Sequence, residues 1–318
     1  MQRFSKTSKL SLLNSLATAL LITILESIIA AYYYTSLANT TAADRNIFVY
    51  LIMFTLSQVF QFIFYLNAIV HQNMIQIIAH FVFFSCCLAY SIFQYSQLKG
   101  ILSAQYDYAF AAVRPFLSAI IIVFGSAWIL FACALHPFYQ EFGWQVYKRL
   151  GADPQIKSSI SIYSTIDMYR NYQIFVMILK LDVFFSVIFV TLFLVILPID
   201  DAEFPLSIVA GIIMSLFLLL ALNGLKNEKK LYLRLFIGEC VILLAYMIFK
   251  IVRVNSPDQA DRYVGSIKFL TFFGKWVVNG RVASVSIFCT LLTLINAIVC
   301  LNNFGKGLKE KSKDELLF

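Results

Sequence analysis

Read for polarity alone, the chain is a succession of apolar blocks separated by short polar links. A hydrocarbon core of about 30 Å takes roughly 20 apolar residues in a helix, and blocks of about that length fall near 12–34, 47–70, 75–92, 116–135, 172–197, 205–225, 233–252 and 282–301. None shows the period-2 alternation of a barrel strand. The expected fold class is all-α: a polytopic transmembrane helix bundle of about eight spans, with residues 1–318 forming a single membrane domain. The links refine this. Only His71-Gln72-Asn73-Met74 separates the second block from the third, which forces antiparallel neighbours. A polar loop is expected from Gln94 to Arg114, with Pro115 opening the fourth span in the position proline tolerates at a helix start.

The widest polar interval, 136–171, is expected as a cytosolic loop. Within it Phe138, Phe142, Val146 and Leu150 recur every four residues, Lys148 and Arg149 fall in the last turn, and Gly151 follows as a C-cap. The stretch from Pro137 to Leu150 is therefore expected as an amphipathic helix lying along the membrane surface, with Tyr139, Trp144 and Tyr147 at headgroup level. Phe138, Phe142, Trp144, Tyr147, Lys148 and Arg149 form its candidate interfacial or partner surface. The alternative is an ordinary packed loop helix.

Composition agrees with the pattern. The chain is 60% hydrophobic and 13% charged, with mean hydropathy +0.80, against about 25% charged residues in soluble domains. A net charge of +8 calls for no nucleic acid here, because the basic residues collect in links. With both termini in the cytosol, fifteen lysines and arginines fall on the cytosolic side and nine on the lumenal side. The partners expected are the bilayer itself and, at the central loop, anionic lipids or cytosolic proteins; the oligomeric state is left open. Arg3, Lys6 and Lys9 precede a first block too long for a signal-peptide core and followed by further spans, so an uncleaved signal-anchor is expected. Asn39-Thr40-Thr41 is the one glycosylation sequon, and Asn39 would carry the glycan in a lumenal loop.

Candidate chemistry is sparse. All six cysteines fall in apolar blocks without CxxC spacing, so they read as packing residues, with no metal and no disulfide expected. No HExxH, GxSxG or Walker loop is present, three histidines lie far apart, and neither a cofactor nor an enzymatic centre is expected. Asp261-Arg262-Tyr263 follows the seventh span, not the third, and Lys313-Asp314-Glu315-Leu316 is followed by two more residues in an expected cytosolic tail, so neither is read as a receptor or retrieval signal. Leu316-Leu317-Phe318 is kept as a candidate cytosolic sorting signal.

Ionisable residues inside spans need a reason, since a charge at the bilayer centre costs at least about 2.5–3.5 kcal/mol. Lys180, Asp182, Glu239, His80 and Glu26 form the candidate intramembrane polar site. Lys180 and Glu239 stand at similar depth and could pair; Asp182, two residues from Lys180, points to another face. One reading is a polar cavity for a charged cargo or for protons, the other a buried pair that fixes helix register. A four-plus-four arrangement would be a parallel repeat, as in some transporters, and Leu66-Asn67-Ala68-Ile69 against Leu222-Asn223-Gly224-Leu225 is a short echo of one.

Several segments together carry a family resemblance: Ser57-Gln58-Val59-Phe60-Gln61 through Gln72-Asn73-Met74-Ile75-Gln76, the block Glu141-Phe142-Gly143-Trp144 with Tyr147-Lys148 and Gly151-Ala152-Asp153, Lys180-Leu181-Asp182, and Asn296 to Cys300 with Asn303-Phe304-Gly305-Lys306-Gly307. The chain resembles the fungal family of Golgi apparatus membrane proteins of unknown activity. The resemblance implies a multi-pass protein of the Golgi or secretory pathway and implies no reaction. It breaks at Gly274–Val285, which interrupts the family's passage into the last span and is either a true insertion or a translated intron. The leading functional expectation is a non-enzymatic Golgi membrane protein that recruits or sorts partners or lipids. The alternative is a small transporter using Lys180, Asp182, Glu239 and His80, and a seven-span receptor comes third.

Overall fold

The computed structural model describes residues 5–37, 42–105, 107–151, 159–196, 203–254, 276–278, 281–283 and 285–304. Among the described residues eight helices carry the fold: α1 (Lys6–Leu37), α2 (Ala42–Val70), α3 (Met74–Gln105), α4 (Asp107–Gly151), α5 (Ser159–Ile196), α6 (Glu203–Lys226), α7 (Lys230–Val254) and α8 (Val285–Asn303). By internal packing the chain, expected as one membrane domain, divides into two compact units, residues 1–156 and 157–318. The described helices of each form a ring of four. In unit 1, α1 packs on α2, α2 on α3, α3 on α4 and α4 back on α1; in unit 2, α5, α6, α7 and α8 close in the same order.

Which residues face inward shows what solvent the helices are built for. On α1 the inward face carries Ser8, Ser11, Ser15, Thr18, Ile22 and Glu26 at three- and four-residue spacing, whereas Leu10, Leu13, Leu20, Leu21 and Ile24 lie outside. Ile52, Val59 and Ile63 of α2 and Ile122, Ile129 and Leu130 of α4 are likewise on the outside. A surface this apolar is stable against hydrocarbon, not against water. Among the described residues six helices are long and apolar enough to cross a membrane: the segments Lys6–Thr35, Leu51–Val70, Met74–Ser96, Phe110–Phe142, Arg170–Ile188 and Ile208–Leu225. This is a multi-pass membrane protein. The apolar stretch of α8, Cys289–Asn303, is shorter, and α7 carries Lys230, Arg234, Glu239, Lys250 and Arg253.

The helices overrun several expected boundaries. The interval from Gln94 to Arg114, expected as a loop, is helical throughout its described residues, because α3 runs on to Gln105 and α4 starts at Asp107. Pro115 therefore sits inside α4, as does Pro137. A proline there removes one backbone hydrogen bond, which packing against neighbouring helices can offset. Most of the expected central loop 136–171 is also helical: α4 continues through it to Gly151, and α5 begins at Ser159. The stretch expected as a separate surface helix is thus the end of α4, and Phe138 and Phe142 are buried in the packed bundle with rings 5.2 Å apart. Their four-residue spacing reports a helix face, which is equally suited to a bundle and to a bilayer surface. Within the interruption at Gly274–Val285, Trp276–Val278 (β1) pairs antiparallel with Arg281–Ala283 (β2), so the last helix starts at Val285 and not at 282.

The two units share a turn in atomic detail. After α2, the amide of Gln72 donates to the Ile69 carbonyl (3.2 Å) and that of Asn73 to Ala68 (3.0 Å); after α6, Glu228 donates to Leu225 (3.4 Å) and Lys229 to Gly224 (2.9 Å). Both are Schellman closures, with Gln72 (φ 53°) and Glu228 (φ 50°) in the left-handed position. Each residue of the second turn stands 156 after its counterpart in the first, so the echo at Asn67 and Asn223 marks a structural repeat. The approach is tightest at Gly224, where an added Cβ would lie 2.9 Å from the Tyr232 Cβ. Gly224→Ala is expected to lower the thermal stability of the detergent-solubilised protein by about 1 kcal/mol, the cost of overpacking. An unchanged melting curve would show that α7 can yield there.

Candidate functional site

The aromatic heart of unit 1 joins α2, α3 and α4. Phe84 packs on Phe124 (5.1 Å between centroids) and Phe131 (5.0 Å), Phe54 on Tyr90 (5.1 Å) and Phe124 (5.6 Å), and Tyr65 on Phe131 (5.1 Å). Trp128 ties α4 to α3 by donating to the Ser85 hydroxyl at 2.8 Å. The described core positions of α4, Val113, Leu117, Ile120, Phe124, Ala127, Phe131, Phe138 and Phe142, are all apolar.

The other three helices bring polar groups to the same interior. At the end nearest the α2–α3 turn, His80 lies against Tyr65 (4.4 Å) and Phe131 (5.1 Å), and the Tyr65 hydroxyl points toward Ser11 without reaching hydrogen-bond geometry. One turn further along α2, Gln61 donates to Gln58 (2.7 Å), and Gln58 donates to Ser57 (3.2 Å), beside the Cys87 thiol of α3. Along α1 the matching levels hold Ser15 and Thr18. Furthest from the turn is Glu26 of α1, 1% exposed, whose two carboxyl oxygens both face the side-chain amide of Gln94 on α3, at 3.1 and 3.2 Å. Among the described residues that amide is its one hydrogen-bond donor, and no lysine or arginine is buried.

Many of these groups are incompletely satisfied. Buried polar groups normally find partners, and an orphan costs about 1–3 kcal/mol. In unit 1 the Asn14 Nδ2, Ser15 Oγ, Gln61 Oε1, Tyr65 hydroxyl, His80 Nε2 and Gln94 Oε1 atoms are buried without a hydrogen-bond partner among the described residues.

Unit 2 builds the same ring around a different core. Tyr172, Phe175 and Leu179 of α5, Leu218, Ala221 and Leu225 of α6, Leu233, Phe236 and Cys240 of α7, and Ala297, Cys300 and Phe304 on and just beyond α8 form one cluster that is apolar except for the Tyr172 hydroxyl and the cysteine thiols. At the 156-residue spacing, Ala221 stands for Tyr65, Phe217 for Gln61 and Phe236 for His80. The carboxylate is kept: Asp182 stands for Glu26. It accepts a hydrogen bond from the Thr293 hydroxyl of α8 at 2.8 Å and lies close enough to Glu239 of α7 for the two acids to interact electrostatically. Glu239 also accepts from the neighbouring Cys240 thiol at 3.8 Å. Thr293→Val, which removes the donor and keeps the shape, is expected to destabilise unit 2 by about 1 kcal/mol, read as earlier thermal exposure of the buried Cys240 and Cys300 thiols. No change would mean that Asp182 is held by other groups.

The expected site residues thus separate. His80 and Glu26 lie in unit 1, at opposite ends of its polar lining. Asp182 and Glu239 lie together in unit 2, and Lys180 is half-buried on the same helix as Asp182. Glu239, which could pair with Lys180 by depth, lies close enough to Asp182 for the two acids to interact. Of the expected partner surface, Phe138 and Phe142 are buried, while Trp144, Tyr147, Lys148 and Arg149 lie on α4 with side chains outside the described residues; Asn39 also lies outside them. Gln94 is expected in a loop because hydropathy ends the third span at Ile92, and the structure places it on α3 facing Glu26. The inward series Phe84, Cys87, Ser91, Gln94, Leu98 keeps helical spacing past that point and was the available signal.

No protein-family model matches the chain, and no solved structure matches it. The chain is similar to a UPF0658 Golgi apparatus membrane protein of fission yeast, Schizosaccharomyces pombe, with 27% identity over 199 residues, 62% of this chain. The aligned part covers 51% of that relative, so the chain spans about half the length of the curated protein it matches.

Proposed function

We propose that the protein is a non-enzymatic transporter of a small polar solute in Golgi or secretory-pathway membranes, built from two four-helix units. The observation that carries this reading is Glu26: a carboxyl fully inside a membrane-spanning ring, held by one amide, with a second acid at the corresponding position of the other unit. A fold that closes the same ring in unit 2 with Ala221, Phe217 and Phe236 at the positions of Tyr65, Gln61 and His80 has no structural need for the glutamines and the histidine of unit 1. Polar groups at that depth are expensive and mark binding or translocation paths. The expected partner surface has lost its two central aromatics to the bundle interior, which weakens the recruitment reading.

The Golgi assignment draws on the yeast relative and on the family resemblance. Eight crossings, with α7 and α8 spanning despite the charges of one and the shortness of the other, would return the chain to its starting side, and the excess of basic residues in the links supports both termini in the cytosol. Mass spectrometry of small molecules co-purifying with wild type, Glu26→Gln and Asp182→Asn tests the transport reading. A solute retained by wild type and lost from both variants is the expected result. An identical complement in all three folded proteins would make the carboxyls structural and overturn it.

A further inference from the structure

The polar lining of unit 1 is laid out as a column. Ser11, Tyr65 and His80 form one level, Ser15 and Gln61 the next, Thr18, Gln58, Ser57 and Cys87 the third, and Glu26 with Gln94 the far end. From Ser11 to Glu26 is fifteen residues of α1, about 22 Å at 1.5 Å per residue, against a hydrocarbon core of about 30 Å. Between the third level and Glu26 the buried residues are Ile22 and Phe54, with Ser91 and Tyr90 alongside.

We propose that this column is a water-filled proton path leading from His80 to Glu26. For its physiological use it rests on the transport reading, but its existence does not. Two independent observations support it. The orphaned atoms of Tyr65, His80, Ser15 and Gln61 lie on the first two of these levels and that of Gln94 at the far end, and water is the partner small enough to satisfy donors and acceptors together. The polar groups that α1, α2 and α3 bury here are hydroxyls, carboxamides, one imidazole, one thiol and one acid, interleaved with apolar residues such as Ile22, Phe54 and Phe84, while the buried positions of α4 are all apolar. The titratable ones are His80, Tyr65, Tyr90, Cys87 and Glu26, and among the described residues no fixed cation is present. A proton therefore travels along hydrogen-bonded water, each O–H bond breaking as the next forms, and ends on a Glu26 carboxyl oxygen. Anions meet no positive group that would admit them.

The test is infrared spectroscopy of the full-length protein in lipid nanodiscs during a change from H2O to D2O. Wild type should show a carboxylic-acid C=O band that Glu26→Gln removes and that shifts as deuterium arrives. Gln61→Leu and, as a second variant, Ser15→Val should slow that shift at least about tenfold by drying the column, while Ile63→Leu, on the outside of the same helix, should leave it unchanged. A band that never exchanges means a dry interior, and an exchange rate indifferent to both column variants means water reaches Glu26 by another route. A Glu26 that shows carboxylate bands instead of an acid band is no proton terminus. Each of these overturns the path, and solute retention in the mass-spectrometric experiment stands or falls separately.

Discussion

Phe84→Ala should be the most damaging single truncation in unit 1, with a loss of about 3–5 kcal/mol, the range for deleting a fully buried aromatic ring. Phe84 is 0% exposed, and its ring meets Phe124 and Phe131 of α4 and the His80 imidazole of its own helix. In a bilayer the helices gain nothing by hiding apolar surface from water, since lipid is as apolar as the core, so association rests on packing and on hydrogen bonds between helices. Emptying the centre of the α3–α4 seam therefore removes stabilisation that lipid does not restore. The buried Cys87 is a built-in reporter one turn away. Warming the variant with a thiol-reactive dye and mapping the labelled peptides should show Cys87 reacting at a markedly lower temperature than in wild type. Labelling of Cys87 at the wild-type temperature would show that the neighbours collapse into the space and that the seam is held elsewhere.

The membrane class, the helical fold and the tight α2–α3 link were legible in the sequence because each rests on a short-range rule: block length, periodicity, and too few residues in the link for any geometry but a hairpin. Helix ends were less legible. Hydropathy measures where apolar residues stop, whereas a helix continues as long as its backbone is bonded and one face is packed, so α3 passes Ile92 and α4 passes Pro137. The intramembrane acids were found as individuals, since any charge in an apolar block stands out. Their partners were not. Gln94 lies 68 residues from Glu26 and Thr293 lies 111 from Asp182, and such pairings are set by ring closure. The repeat was visible only as four residues around Asn67 and Asn223, because what the units share is a backbone turn and an order of packing, while their core side chains differ: His80 against Phe236, Gln61 against Phe217.

The second large effect separates what Glu26 needs from what it does. Replacing Gln94 by Leu removes its one donor among the described residues while keeping the volume of the core, and should cost about 3 kcal/mol, the upper end for orphaning a buried polar group. Glu26→Leu alone should cost less, because the Gln94 amide left behind is neutral. The double variant, Leu against Leu, should recover most of the loss: two well-packed apolar residues replace an acid–amide pair at little cost or with a gain. A double-mutant cycle reads this directly, with a coupling of about 3 kcal/mol expected, the upper end for groups in contact. Strict additivity would mean that Glu26 and Gln94 are each solvated independently. If the double variant is as stable as wild type, no folding requirement holds the acid in the ring. Its place among hydroxyls, carboxamides and an imidazole then has to be explained by what passes through, and solute retention and proton exchange should both be absent from that stable double variant.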